Sequence, residues 1–400
     1  MQPIPSNQLA RKRASSLPEL GIGLSGTIPG AAALVAPELR IEGPRSIFLA
    51  ANGGLGDLCL ALQVLLAFRA ELADPEQHEW VVAMPSGWGG PLRPIIEQLG
   101  VFDAIGHLED AKALLAGLAH DQLILPSLLA GNDDDARLAL ASTAGYLWAR
   151  WGMATPFQAL RGSPAIARLR AQLAPRFQAL GRELGLPAPG AFSVLAPEAS
   201  YLGGLKAWPL AHWRELIASL QHPTSGLPRA VVICASPESF ARIRDGLGPD
   251  VHHFDYTDPR LNSDLSNLAS VVAAAAFTIS LDSGTAHLAS LLEAPCVSLW
   301  GPTSPVIYAS PNTTALRTSL CPPCSTDARS SICQTSVCMA NLSPHTVVRV
   351  LQRLSIAPHS HSGVLPRPAR PGSSIAPHSH SGVLPRPARP GSSTRTRGHG

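Results

Sequence analysis

Short apolar runs alternate with stretches of helical periodicity from residue 46 to about residue 300, and nothing else in this 400-residue chain restricts its fold as strongly. Strand-length runs separated by helices imply βαβ units and a parallel sheet, because parallel neighbours need a crossover of a dozen residues or more. In the first half, Ser46–Ala51 reads as a strand, followed by Asn52-Gly53-Gly54-Leu55-Gly56-Asp57 and a helix from about Leu58 to Glu71. That helix is apolar on nearly every side, so burial is expected all round it. Trp80–Met84 and Gln122–Pro126 read as further strands, and Leu138–Trp151 and Ala165–Leu184 as helices. Gly185-Leu186-Pro187-Ala188-Pro189-Gly190 then interrupts the pattern and reads as a linker.

The second half restarts it. Phe192–Ala196 reads as a strand and a loop runs to Trp208, with Pro209 suited to the first turn of a helix. Leu210, Trp213, Leu216, Ile217 and Leu220 then share one helical face. Ala230–Cys234 is a strand, Leu265–Ala275 a helix and Phe277–Leu281 a strand; Asp282-Ser283-Gly284 opens a helix near Thr285–Glu293, and Pro295–Trp300 is the next strand. Two α/β halves of this kind form a cleft, and ligands bind outside the carboxyl ends of such strands.

Composition sets limits on function. With 45% hydrophobic and 15% charged residues the chain can bury a large core. The net charge of +3 comes from the ends: residues 355–400 hold six Arg and no acid, whereas residues 41–354 hold 21 basic and 26 acidic side chains, a net −5. A nucleic-acid partner, which needs a basic face, is not expected. The longest uncharged apolar run, Leu268–Leu281, is too short to span a bilayer. Arg11-Lys12-Arg13 precedes a mildly apolar stretch, but Glu19 and several Gly and Pro residues argue against a signal peptide, and the protein reads as soluble in a reducing compartment. Residues 1–43 read as a disordered leader. Ser355–Ser373 recurs letter for letter as Ser374–Ser392, and residues 355–400 read as a disordered tandem-repeat tail.

Two loops stand where ligands are expected. The glycines of Asn52–Asp57 let the backbone approach a ligand, and the next helix offers its N-terminus; no Gly-Lys-Ser/Thr makes it a P-loop. Asp57 there is either a helix cap or a catalytic carboxylate. The hydroxyls and glycine of Asp282-Ser283-Gly284-Thr285-Ala286-His287, at a second helix N-terminus, suit a diphosphate. The plainer reading is an N-cap with a packed His. Lys206, on the loop before Trp208, is either a solvated surface Lys or a charge that neutralises a leaving phosphate. Asp133-Asp134-Asp135 contains the Asp-x-Asp spacing of metal-dependent transferases, but an acidic helix start explains it better. Cys321, Cys324, Cys333 and Cys338 have spacings that could close a structural tetrahedral Zn or Fe site, or else form a loop of reduced thiols.

Together, Gly53-Gly54-Leu55-Gly56-Asp57, Lys206-Ala207-Trp208-Pro209, Asp282-Ser283-Gly284-Thr285-Ala286-His287-Leu288-Ala289, Trp300-Gly301-Pro302-Thr303-Ser304-Pro305 and Cys321-Pro322-Pro323-Cys324 make residues 45–354 resemble glycosyltransferase family 9, the heptosyltransferase-like family. The resemblance implies a GT-B fold, two Rossmann-like domains facing each other across a cleft: an acceptor-side domain over 44–187 and a donor-binding domain with the Cys cluster over 188–354. Members move a heptose from ADP-heptose onto lipopolysaccharide core sugars, inverting the anomeric centre without a metal. By motif position, Asp57 beside the glycine loop Gly53, Gly54, Leu55 and Gly56 is similar to the family's general base. Lys206, Ser283, Gly284 and Thr285 match its diphosphate grip, Asp282 and His287 lie beside the donor, and Ser200 and Glu238 match donor-side positions. The implied partners are a nucleotide-sugar donor and a glycan or lipid-linked acceptor, with at most peripheral contact to the inner membrane from the cytoplasm. A subgroup that modifies autotransporter proteins uses its cysteines for iron.

This chemistry suits the residue types. A carboxylate takes the acceptor hydroxyl's proton as that oxygen attacks the anomeric carbon opposite the leaving group. A departing nucleoside diphosphate needs fixed positive potential rather than a general acid. Two departures bear on the donor: Pro197-Glu198-Ala199-Ser200 places a carboxylate near the expected phosphate site, and Ala235-Ser236-Pro237 replaces a glycine-rich turn. A protein heptosyltransferase of the autotransporter-modifying kind, a nucleotide-sugar epimerase and a non-catalytic sugar-nucleotide binding protein are the alternative readings.

Overall fold

The computed structural model describes residues 44, 46–50, 54–71, 74–110, 113–114, 117, 122–126, 162–199, 203–258, 264–303, 305, 309, 313–321, 323–324 and 336–356. The leader, Asp133–Asp135, the helix expected at Leu138–Trp151 and the tail after Ile356 lie outside them, as do Gly53, Ser200 and Cys333. The elements run β1 (Ser46–Ala50), α1 (Leu55–Glu71), β2 (Glu79–Met84), α2 (Ser86–Leu99), β3 (Ala104–His107), β4 (Gln122–Pro126), α3 (Pro164–Leu184), β5 (Phe192–Ala196), α4 (Gly203–Lys206) and α5 (Leu210–Gln221). They continue β6 (Ala230–Cys234), α6 (Pro237–Arg244), β7 (Val251–Phe254), α7 (Ser266–Ala274), β8 (Phe277–Leu281), α8 (Gly284–Leu291), β9 (Cys296–Trp300), β10 (Thr313–Arg317), α9 (Val337–Ala340) and α10 (Pro344–Ile356).

The strands form two parallel sheets, β3-β2-β1-β4 and β10-β9-β8-β5-β6-β7. In each, the order reverses beside the first strand of the sheet. One crevice therefore opens beyond the carboxyl ends of β1 and β4, the other beyond those of β5 and β8. In register, Ser46 faces both Glu79 and Gln122, and Val194 faces Thr278.

Helix α1 shows why an all-round apolar sequence was needed. Leu58, Cys59, Leu62 and Leu65 are buried, in one cluster with Ile47 and Leu49 of β1 and with Ala286, Leu288 and Ala289 of α8. The helix packs directly on α8 through these buried apolar side chains. Its fully buried Gln63 is satisfied on both ends: Nε2 donates to Cys59 O at 3.1 Å, and Oε1 accepts from Ser290 Oγ of α8 at 2.9 Å. On α5, Trp213, Leu216, Ile217 and Leu220 are buried as the periodicity requires, each side chain contributing about 1.5–3 kcal/mol. Helix α10 packs against α5, and Trp208 Nε1 donates to Leu342 O at 2.8 Å ahead of α10.

Three local expectations are revised. Helix α1 starts at Leu55, so Asp57 lies inside its first turn rather than at the cap. Pro209 precedes α5 as its N-cap instead of entering it. The segment holding Lys206 is a short helix, not an open loop. Helix α2, which carries Pro91 and Pro94, was not read from the sequence at all.

Candidate functional site

The two strand-end loops meet. Gly56, in the first turn of α1, lies against the ring of His287 in α8: a Cβ there would come within 2.7 Å of His287 Cδ2. The contact is reciprocated one turn away, where a Cβ on Gly284 would stand 3.0 Å from Leu55. Glycine at both positions lets the N-termini of α1 and α8 approach more closely than any side chain would permit.

At the first N-terminus, Gly54 N donates to Asp57 Oδ2 at 3.0 Å. The third residue of the helix thus reaches back to the residue before it, half of a capping box. Asp57 is only partly buried. Capping and a chemical role are therefore compatible here, since the hydrogen bond aims the carboxylate while leaving it near the surface of the first turn.

At the second, Asp282 directly follows β8 and is buried, with 5% exposure. Lys206, brought from the carboxyl side of β5 by α4, is equally buried; its Nζ stands 2.7 Å from Asp282 Oδ2 and donates to Asp282 O at 3.1 Å. Thr303, beyond β9, donates its hydroxyl to the same Oδ2. His287 Nε2 faces Oδ1 at 3.7 Å. Burial alone would raise the Asp282 pKa, but the facing imidazole of His287 and the ammonium of Lys206 outweigh it and hold the carboxyl down to about 2. The solvated-lysine reading of Lys206 is thereby replaced: its partner is 76 residues away in sequence and invisible to local pattern.

Ser283 occupies the N-cap of α8, yet its hydroxyl makes no capping bond and instead meets Ser280 Oγ at 3.0 Å. The first-turn amides of Gly284 and Thr285 are consequently not covered by that side chain, which suits an incoming anion. Thr285 is partly buried in this turn. Glu238 lies exposed in the first turn of α6, on the far side of β5 from Lys206.

Glu198 is not turned toward Lys206. It accepts from Ser236 N at 3.1 Å, from Ser236 Oγ at 2.7 Å and from the hydroxyl of Tyr256, binding the ends of β6 and β7 at the N-terminus of α6. Burial would raise its pKa, but hydrogen bonds from Ser239, Tyr256 and Ser236 keep the carboxyl below its ordinary range. Its charge is thus committed to the β6 side of β5, whereas Lys206 is committed to the β8 side.

Among the described residues no three His, Cys, Asp or Glu side chains are arranged to hold a metal ion. Cys338 is buried in an apolar cluster with Met339, and its Sγ lies 3.3 Å from where a Gly301 Cβ would be. Cys324 N donates to Pro302 O at 2.7 Å, and the carbonyl of Cys321 accepts from Arg317. What sequence reasoning missed is Thr303. It stood in the Trp300–Pro305 motif but carried no sign of its partner, because that partner follows a neighbouring strand.

The family model described as "Glycosyltransferase family 9 (heptosyltransferase)" matches residues 161–334. Lipopolysaccharide heptosyltransferase 1 of Salmonella typhimurium is 37% identical over 100 residues, 25% of this chain and 29% of that protein. The protein of the same name from Escherichia coli K12 is 35% identical over 103 residues, again 25% and 29%. The aligned stretch thus spans less than a third of either relative's length. Among solved structures, E. coli ADP-heptose lps heptosyltransferase II superposes with a TM-score of 0.50 at 16% identity, covering 78% of this chain and all of that one. The glycosyl transferase family 9 structure from Veillonella parvula gives 0.50 at 14% identity, covering 80% and all, respectively. The fold is therefore α/β of the GT-B kind, as expected from the sequence.

Proposed function

We propose, taking residues 161–334 as a glycosyltransferase family 9 region, that this chain transfers heptose from ADP-heptose to a lipopolysaccharide or other surface-glycan acceptor, with inversion at the anomeric carbon. The observation that supports the reading is the docking of α1 on α8 through Gly56 and Gly284, which brings the helix turn that holds Asp57 against the helix N-terminus that follows Asp282.

In this reading Asp57, aimed by Gly54 N–H, accepts the proton of the acceptor hydroxyl. The hydroxyl oxygen bonds to the anomeric carbon as the bond to the diphosphate breaks, and both electrons of that bond leave with ADP. The first turn of α8, Ser283 to Thr285, and the Lys206 ammonium receive the charge. Because Asp282 compensates Lys206 at close range, the pair works through directed hydrogen bonds more than through long-range potential. His287 and Asp282 shape the sugar side, and Ser200 and Glu238 serve the nucleoside side. No metal is required, since the chain itself supplies the groups that neutralise the leaving diphosphate. A binding protein without turnover, suggested by Glu198, loses its motive: that carboxylate is engaged by Ser236 and Tyr256 and does not oppose the diphosphate.

In this reading the acceptor is met at the cytoplasmic face of the inner membrane, with at most peripheral contact; among the described residues no helix is long and apolar enough to cross a membrane. The decisive experiment supplies ADP-heptose with and without acceptor. Acceptor-dependent ADP release is expected in the wild type and its loss, with donor binding nearly intact, in Asp57→Asn; an isomerised donor without acceptor would identify an epimerase instead. Cys321, Cys324, Cys333 and Cys338 remain candidate ligands of a structural Zn or Fe site in this reading, with a loop of reduced thiols as the alternative. Metal analysis of the purified protein separates the two: one equivalent of Zn or Fe that disappears in Cys324→Ser identifies a metal site, and none in the wild type identifies the thiols.

A further inference from the structure

We infer that Thr303 is a positioning residue, whose hydroxyl fixes the Asp282 carboxylate between Lys206 and His287 and is itself held by the segment that carries Cys324 and Met339. Thr303 is buried, with 6% exposure, and its hydroxyl donates to Asp282 Oδ2, the oxygen that also takes Lys206 Nζ at 2.7 Å. The other oxygen faces His287 Nε2. With partners on both oxygens, the carboxylate cannot turn without breaking hydrogen bonds to a charged group, the stronger kind.

The turn that presents Thr303 is braced from behind. Gly301 has no room for a side chain: a Cβ would meet Met339 Sδ at 2.8 Å and Cγ at 2.9 Å. Its carbonyl accepts from Arg317 Nε at 3.3 Å, and the next carbonyl, of Pro302, accepts from Cys324 N at 2.7 Å. Asp282 N in turn donates to Leu299 O at 3.1 Å, so the β8 and β9 ends are tied on both sides of the Thr303–Asp282 bond. A chain of contacts thus runs from the cysteine segment through Gly301–Thr303 to Asp282 and on to Lys206. Without the hydroxyl, Asp282 gains freedom to rotate and the Lys206 ammonium loses its fixed aim at the first turn of α8.

The effect on ligand rests on the proposed donor role; the positioning of Asp282 does not, and two readouts keep them apart. ADP alone is titrated calorimetrically into the full-length wild type, Thr303→Val and Thr303→Ser near neutral pH, and acid unfolding of the same proteins is followed without ligand. Thr303→Val should weaken ADP binding about tenfold, the scale of one hydrogen bond to a charged group. It should also unfold at higher pH than the wild type, because Asp282, faced by Lys206 and His287 only, takes up its proton sooner. Thr303→Ser, which keeps the hydroxyl, should match the wild type in both. Wild-type behaviour of Thr303→Val in both assays overturns the inference, as does Thr303→Ser behaving like Thr303→Val. If the wild type fails to bind ADP while the acid shift persists in Thr303→Val alone, the donor reading falls and the role of Thr303 stands. Thr303→Ala is the second hydroxyl-free variant; if neither it nor Thr303→Val folds, the hydroxyl is purely structural and the inference fails.

Discussion

Two strand-to-helix junctions dominate the site, after β1 and after β8, and they treat their acidic side chains in opposite ways. At the first, Asp57 reaches back to Gly54 N–H and stays partly exposed. At the second, Asp282 lies outside the helix, fully enclosed, with Lys206, Thr303 and His287 around it. The N-cap hydroxyl of Ser283 meanwhile turns away from its own helix. The first arrangement commits its carboxylate to a local bond within the helix turn and keeps it partly exposed. The second uses a carboxylate to immobilise a cation, and leaves the helix end for something else. Similar loops therefore hold their acids in different surroundings according to whether the acid sits inside the first turn or before it.

Substitution can break this contrast from either side. Asp57→Asn keeps a partner for Gly54 N–H but cannot accept a proton; acceptor-dependent ADP release should fall by about 10²–10⁴-fold while the Kd for ADP changes little. Asp282→Asn leaves Lys206 buried without its counter-charge and should cost about 3–5 kcal/mol of stability in urea titrations. The same variant should lose part of the wild type's acid sensitivity. Asp282 has a depressed folded pKa, so its contribution is complete above the unfolded value of ~4 and disappears as the pH falls toward about 2. The smallest effect is expected for Gly56→Ala, which drives a methyl into His287 at a cost of about 1–3 kcal/mol, read as a lower Tm and as weaker ADP binding.

Much of the architecture was legible before any coordinates. Phe277–Leu281 was read to the residue and the buried face of α5 was predicted correctly, because strands with flanking turns and one-sided helices each leave a local period. Helix α2 was not, since Pro91 and Pro94 look like breakers. Gly87 and Gly90 stand four residues before them, and a glycine carbonyl can tilt away from a proline ring. An acid following glycines looks like a cap, which sets the expected start of α1 three residues late, whereas Leu58 N already donates to Gly54 O at 3.1 Å. In the candidate site, residue types marked two loops whose following helices meet at their N-termini. The pairing of Lys206 with Asp282, and of Asp282 with Thr303, joins segments that no period connects, and so neither could be read from sequence.

The close approach of α1 and α8 is made by what two residues lack. Each missing β-carbon is occupied by a side chain of the opposite helix, His287 in one case and Leu55 in the other. The two halves of the chain are consequently matched like a key cut for one lock. Exchanging either half with that of a relative would preserve both sheets and still misalign the two helix N-termini, unless the glycine and its opposing side chain travelled together.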